Sequence, residues 1–148
     1  MKGRYFVTND LKKEKEGLDE LFREYIRKRA ILEVGGCEKC LTKKYDTTTE
    51  KGELLPAWKQ VQTSHYIGHS NFKVRWHPDN AAGVCGACHL RLAANPQEHT
   101  EWFTKRLGEE RLLLLTIQTN QRHVKVDIEA ETLYLREQIK KLEGVTDG

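Results

Sequence analysis

No apolar run in this chain comes near the ~18 residues that a membrane span needs. The longest candidate, LLLLTI from Leu112 to Ile117, is flanked by charge, and the opening MKGRYFVTND lacks the apolar stretch of a signal peptide. These two absences lead to the expectation of a cytoplasmic protein with no membrane association. Internal repeats and low-complexity tracts are also missing, so the chain reads as one ordered domain. A strong excess of one charge is absent too. The formal net charge is +3 and the sequence pI about 8.6, which permits binding to nucleic acid without requiring it. What positive excess there is lies in residues 1–108; the remainder is acidic.

Of the 148 residues, 38% are apolar and 32% charged, and the mean hydropathy is −0.70. A chain of this size builds one modest core, and with so much polar surface it is expected to rely on something besides that core. The four cysteines are the obvious candidate. Cys37 and Cys40 lie in GGCEKC, and Cys85 and Cys88 in VCGACHLRL, each pair separated by two residues. In a reducing compartment such pairs are metal ligands rather than disulfides. Four thiolates at ~2.3 Å around a tetrahedral structural Zn²⁺ are the site that this spacing serves. The second pair opens a helix, whose N-terminal dipole favours thiolates.

CGACH also satisfies the pattern of covalent haem attachment. The missing leader, the second cysteine pair and the lack of a distal ligand argue against it, and the lack of a βαβ context argues against a thioredoxin-like redox pair.

Around the cysteines the periodicity predicts an N-terminal amphipathic helix within residues 1–36, capped by Asn9 or Asp10 and ended by Gly35-Gly36. Leu18, Leu21, Phe22, Tyr25, Ile26 and Leu32 form its apolar face. Lys12, Lys13, Lys15, Arg23, Arg27 and Lys28, interleaved with Glu14, Glu16, Asp19, Glu20 and Glu24, form a solvated face or a phosphate-binding stripe. Residues 41–59 read as a loop. Two strand-like runs, Val61–Ile67 and Phe72–Trp76, separated by GHSN, predict a hairpin. The second cysteine pair then starts a helix that stops near Asn95-Pro96.

In the C-terminal helical extension, residues 96–148, a helix begins at Pro96 and breaks at Gly108, and helical pattern resumes in EERLLLLTIQTN. A last helix is capped by Asp127. Its Ile128, Thr132, Leu135, Ile139 and Leu142 form a heptad-like seam that packs on the chain's own core or joins a homodimer. The fold class is therefore α+β, with the order knuckle, hairpin and helix of a treble-clef zinc finger in a zinc-bound core, residues 37–95, between flanking helices.

Within that core, His65 lies on the first strand, Asn80 in the loop after the second, and His89 one residue past the last cysteine. Laying a helix across a hairpin would bring His65 and His89 near each other. The stretch SHYIGHSNFKVRWHPDNAAGVCGACHLRL, with CEKC upstream and EWFTKRLGEERLLLL downstream, resembles the HNH (ββα-metal) endonucleases. Among them it is most similar to the zinc-clipped phage recombination proteins of the NinG (Rap) type, which act on branched DNA.

The resemblance implies a metal-dependent endonuclease of phage or prophage recombination or repair, working in the cytoplasm of a bacterial host on double-stranded or branched DNA. It makes His65 the general base that activates water, Asn80 the residue that braces the loop and so orients that base, and His89 a ligand of a catalytic Mg²⁺ or Mn²⁺ distinct from the structural zinc.

The chemistry is coherent by itself. An imidazole suits water activation near neutral pH, and a divalent metal supplies positive charge to phosphate oxygens. Lys73, Arg75 and Arg91 are the candidate DNA-binding residues, with Lys105 and Arg106 as further phosphate contacts. Two positions depart from the family. Ser64 stands where most HNH nucleases carry a metal-binding Asp or His, and His69, a possible substitute metal ligand, stands where this branch carries arginine. The alternative reading is a non-catalytic zinc module that binds DNA or a protein after losing the catalytic metal at Ser64. Of the remaining aromatic and imidazole side chains, Trp58, Trp76 and Trp102 are expected in the core, His77 in a turn, and His99 and His123 on the surface.

Overall fold

The computed structural model describes residues 3–68, 70–121 and 125–144. A single long helix, α1 (Gly3–Val34), opens the chain, runs through the expected cap at Asn9 or Asp10, and stops at Gly35 as the sequence predicts. Its inner face carries Leu18, Phe22, Tyr25 and Ile26, spaced by three and four residues, and continues to Ala30. Leu32, assigned to the same face from the sequence, is 63% exposed. Helical geometry explains the shift: Ala30 lies four residues after Ile26 and takes the place on the stripe, whereas Leu32 is turned away from it.

After α1 the chain makes the cysteine knuckle and a two-residue ribbon, β1 (Thr47–Thr48) and β2 (Leu54–Leu55), within the segment expected to be a loop. A short 3-10 turn, Ala57–Gln60, leads into β3 (Gln62–His65). Its antiparallel partner is β4 (Ala81–Val84), with Thr63 opposite Gly83 and His65 opposite Ala81. The expected partner, Phe72–Trp76, instead lies in the turns of the connection. The physical reason is burial. Every residue of β4 is buried, so AAGV shows no alternation, whereas the alternating pattern in FKVRW arises from a loop that places Val74 and Trp76 in two separate apolar clusters.

Three helices follow. α2 (Gly86–Ala94) begins directly after Cys85, and α3 (Pro96–Asn120) carries a break at Gly108, where φ is +80° and only glycine is unstrained. The Asp127 side chain accepts the Ala130 N–H and caps α4 (Ile128–Leu142). Leu135 and Ile139 of α4 are buried against Leu18, Phe22, Tyr25 and Ile26, with Ile128 and Leu142 packed at the margin. The C-terminal seam is thus spent on the chain's own α1.

The hairpin lies between two layers. Its Thr63/Gly83 and His65/Ala81 face meets α1, and Gly83 is pressed so close to it that an added Cβ would stand 2.6 Å from the Cβ of Ala30. Its Gln62/Val84 and Ser64/Ala82 face turns to α2, where Val84 packs with Cys37, Cys88, Leu92 and Trp102. The architecture is mixed α+β: among the described residues, four helices and two small antiparallel sheets. No helix among them is long and apolar enough to cross a membrane.

Candidate functional site

The two CxxC pairs, 45 residues apart in sequence, converge in space. The four Sγ atoms lie within 4.8 Å of one another, and all four thiols are free. Cys40 and Cys85 have their sulfurs 3.8 Å apart, about the edge of a tetrahedron with ~2.3 Å bonds to its centre and far from disulfide distance. Local hydrogen bonds shape the knuckle. The Cys40 N–H points at Cys37 Sγ (3.4 Å), the Leu41 N–H donates to the Cys37 carbonyl, and Leu41 takes the left-handed conformation at φ 63°. The four cysteines are placed to hold a metal ion such as zinc.

Electrostatics agrees with this. Hydrogen bonding by the Thr42 side chain and backbone holds the Cys40 thiol down to about 6, whereas burial and the neighbouring thiols push Cys88 well up. Four thiolates repel one another, and a divalent cation at their centre relieves the repulsion.

Glu38, inside the knuckle, is a junction that the sequence did not single out. Its carboxylate accepts the Gly83 N–H and two hydrogen bonds from Arg106. Arg106, expected to meet phosphate, is thereby committed to fixing α3 onto the knuckle. Lys39 reinforces the same contact through Glu98 (3.0 Å), which also receives Arg91. Arg91 otherwise stays exposed, as does Lys105.

Asn80 is fully buried and ties the connection between the strands. Its Oδ1 accepts the Ile67 N–H (2.7 Å), and its Nδ2 donates to the carbonyls of Ile67 and Val74 (both 3.0 Å). Its own carbonyl accepts the Tyr66 N–H, one residue after His65. It stands just before β4, not after the second strand as the sequence suggested, because the second strand itself lies later in the chain. His77 serves the turn, its Nδ1 accepting the Asp79 N–H.

Half-buried at the end of β3, His65 has its Nε2 3.2 Å from the Arg75 carbonyl and its ring 5.6 Å from that of Phe22. A carbonyl only accepts, so Nε2 carries a proton. His89 is held the other way round. Its Nδ1 donates to Gln62 Oε1 at 2.5 Å, leaving Nε2 with the lone pair, the arrangement of a metal-binding imidazole anchored by an oxygen.

The two histidines meet the hairpin on opposite faces, His65 toward α1 and His89 toward α2. Gln62 and His65 are three residues apart on an extended strand, and an odd offset reverses the side. The juxtaposition expected from the sequence is therefore not formed through the strand. Ser64 is buried on the α2 side. Among the described residues the four cysteines are the one group of three or more His, Cys, Asp or Glu side chains close enough to share an ion. The expectations for His69 and His123 lie outside the described residues.

Arg75 is a correction. It is buried, and its guanidinium grips both oxygens of Asp19 on α1, while the Trp76 indole N–H donates to the same carboxylate (2.8 Å). Neither Arg75 nor Asp19 belongs to a solvated or DNA-facing surface; the alternation of the 72–76 segment concealed this. Trp76 is in the core, and Trp102 is half-buried against the cysteine cluster. Trp58 is half-buried with Arg27, Lys28 and Lys59 around its ring rather than in the core.

His99 is also not a bystander. Its Nε2 donates to the His65 carbonyl (2.9 Å), and its ring stacks on Tyr66 and meets Phe103. The four-residue spacing of His99 and Phe103 on one helix face was the available signal. Comparison of the chain with models of known protein families, with curated proteins and with solved structures gives no match.

Proposed function

We infer that the chain is a zinc-clipped, HNH-type endonuclease that hydrolyses phosphodiester bonds of double-stranded or branched DNA. The observation that carries this reading is the Asn80-braced loop rooted at His65. A fully buried amide fixes both ends of a connection whose first residues follow an imidazole with its proton committed to a backbone carbonyl. An imidazole anchored on rigid backbone suits a general base.

In this reading the zinc at Cys37, Cys40, Cys85 and Cys88 holds β4 and α2 to the knuckle as a treble clef. His65 takes the proton of the attacking water, and Asn80 acts as a positioning residue through the loop. Lys73, Arg91 and Lys105 are the side chains left to meet phosphate. Of the donors needed by a catalytic Mg²⁺ or Mn²⁺, the described residues supply the His89 Nε2 lone pair, and no group of three or more His, Cys, Asp or Glu side chains close enough to share an ion includes it. They do not complete a donor set, and no catalytic step is routed through that ion.

The buried Ser64 and the placement of His65 and His89 on opposite faces favour a second reading, a zinc module that binds DNA or a protein without cutting. A nuclease assay separates the two. Linear, supercoiled and four-way-junction DNA are incubated with Mg²⁺, Mn²⁺ or EDTA, with wild type beside His65→Ala. The endonuclease reading expects metal-dependent cutting that falls by at least a hundredfold in the variant. DNA binding with no cutting under any metal establishes the second reading instead.

A further inference from the structure

The connection between β3 and β4 borders, with α3 and α4, an open cavity of about 590 Å³ lined among others by Phe72, Lys73, Trp76, His77, Glu131 and Tyr134. This volume lies within the range of small-ligand sites, and the lining has their character, aromatic walls with a few polar groups among them. Phe72 and Tyr134 are each nearly half exposed, while Trp76 is buried and fixed through its N–H to Asp19. Tyr134 offers a face on which a flat ring can stack, whereas Phe72 carries the Lys15 ammonium 4.0 Å over its ring and packs against Trp76.

The polar groups narrow the class of ring. His77 accepts at Nδ1, so its Nε2 carries a proton to donate. Glu131 is half-buried, with no side-chain hydrogen bond among the described residues, and burial together with Asp127 raises its carboxyl above the ordinary range. A carboxylate in that position seeks N–H donors. Lys73, half-buried on the same loop, supplies a cation for a phosphate attached to the ring.

We propose that this cavity receives one unpaired nucleobase of DNA, stacked on the Tyr134 ring with its amino-bearing edge on Glu131 and its phosphate toward Lys73. Guanine offers Glu131 two adjacent donors, N1–H and the 2-amino group, and an O6 acceptor suited to the His77 N–H. Thymine offers a single N–H and no amino group. The cavity therefore prefers guanine over thymine and marks DNA with bases out of the stack, such as branch points, as the substrate class. The proposal rests on the nucleic-acid reading above but needs no cleavage.

The test uses the zinc-loaded full chain, titrated with dGMP and with dTMP and followed residue by residue in ¹H–¹⁵N correlation spectra. The expected result is saturable dGMP shifts at Phe72–Asp79 and Ala130–Tyr134, with dTMP at least tenfold weaker. Glu131→Gln, a near-isosteric change on a half-exposed helix surface, should erase that preference while leaving the spectrum elsewhere unchanged. Equal shifts with both nucleotides, shifts confined to other surfaces, or none, overturn the proposal. If the dGMP shifts appear and no DNA is cut, the cavity stands and the endonuclease reading fails. If DNA is cut and the cavity residues do not respond, the reverse holds.

Discussion

Replacing Asn80 by alanine tests the central structural claim, that one buried amide fixes the loop between His65 and β4. The substitution removes three hydrogen bonds, one accepted from Ile67 N–H and two donated to the Ile67 and Val74 carbonyls, at a side chain with no solvent access. Each bond contributes about 1 kcal/mol net, and the partners left behind are buried main-chain groups with a desolvation cost of their own. The expected loss is about 3–5 kcal/mol, a factor of roughly 10²–10⁴ in the folding equilibrium and a large fraction of the ~5–15 kcal/mol typical of a domain.

Asn80→Asp sharpens the test. It keeps an acceptor for the Ile67 N–H but aims carboxylate lone pairs at two carbonyl oxygens, so it should be at least as damaging at neutral pH. Urea unfolding of the zinc-loaded protein, with exchange of the Ile67 amide as a local probe, gives both numbers. Stability within about 1 kcal/mol of wild type for Asn80→Ala, or an Asn80→Asp variant as stable as wild type, would refute the assignment of these bonds.

The remaining expectations concern other joints of the molecule. Metal binding at the four cysteines should release protons, because burial and neighbouring thiols keep Cys88 protonated in the metal-free cluster. Apparent affinity for Zn²⁺ should therefore fall as pH falls, and a pH-independent affinity in competition with a chromophoric chelator between pH 6.5 and 8 would contradict this.

Asp19→Ala strands the buried Arg75 guanidinium and should cost about 3–5 kcal/mol in denaturant melts, much of it recovered in the double variant Asp19→Ala/Arg75→Met. A single variant that melts like wild type would show the pair to be dispensable. Gly83→Ala sets a methyl group against the Cβ of Ala30, and the overpacking should cost about 1–3 kcal/mol. Combined with Ala30→Gly the cost should be less than additive, and strict additivity would mean that α1 does not lie on the hairpin this closely.

Much of this molecule is written locally. The stop of α1 at Gly35, the start of α3 at Pro96 and its break at Gly108, and the Asp127 cap each depend on one or two residues whose backbone preferences act wherever they stand. The cysteine spacing belongs to the same class, since a thiol pair two residues apart reads as half of a metal site before any fold is known. The choice of strand partner does not. AAGV carries no alternation because both of its faces are covered, and FKVRW alternates for a reason unrelated to a sheet, so only assembly of α1 and α2 about the hairpin selects β4.

The same holds for the side chains around His65. Arg75 looks like a surface cation until Asp19, 56 residues away, is brought against it. His99 looks idle until α3 brings it to the His65 carbonyl. Sequence by itself determined which groups can bind metal, where α1 ends and where α2, α3 and α4 begin, because those are short-range properties of residue type. Tertiary structure decided which face each histidine occupies, which cations are spent inside the fold, and that a cavity opens behind the Asn80 loop, because these follow from which distant surfaces are pressed together.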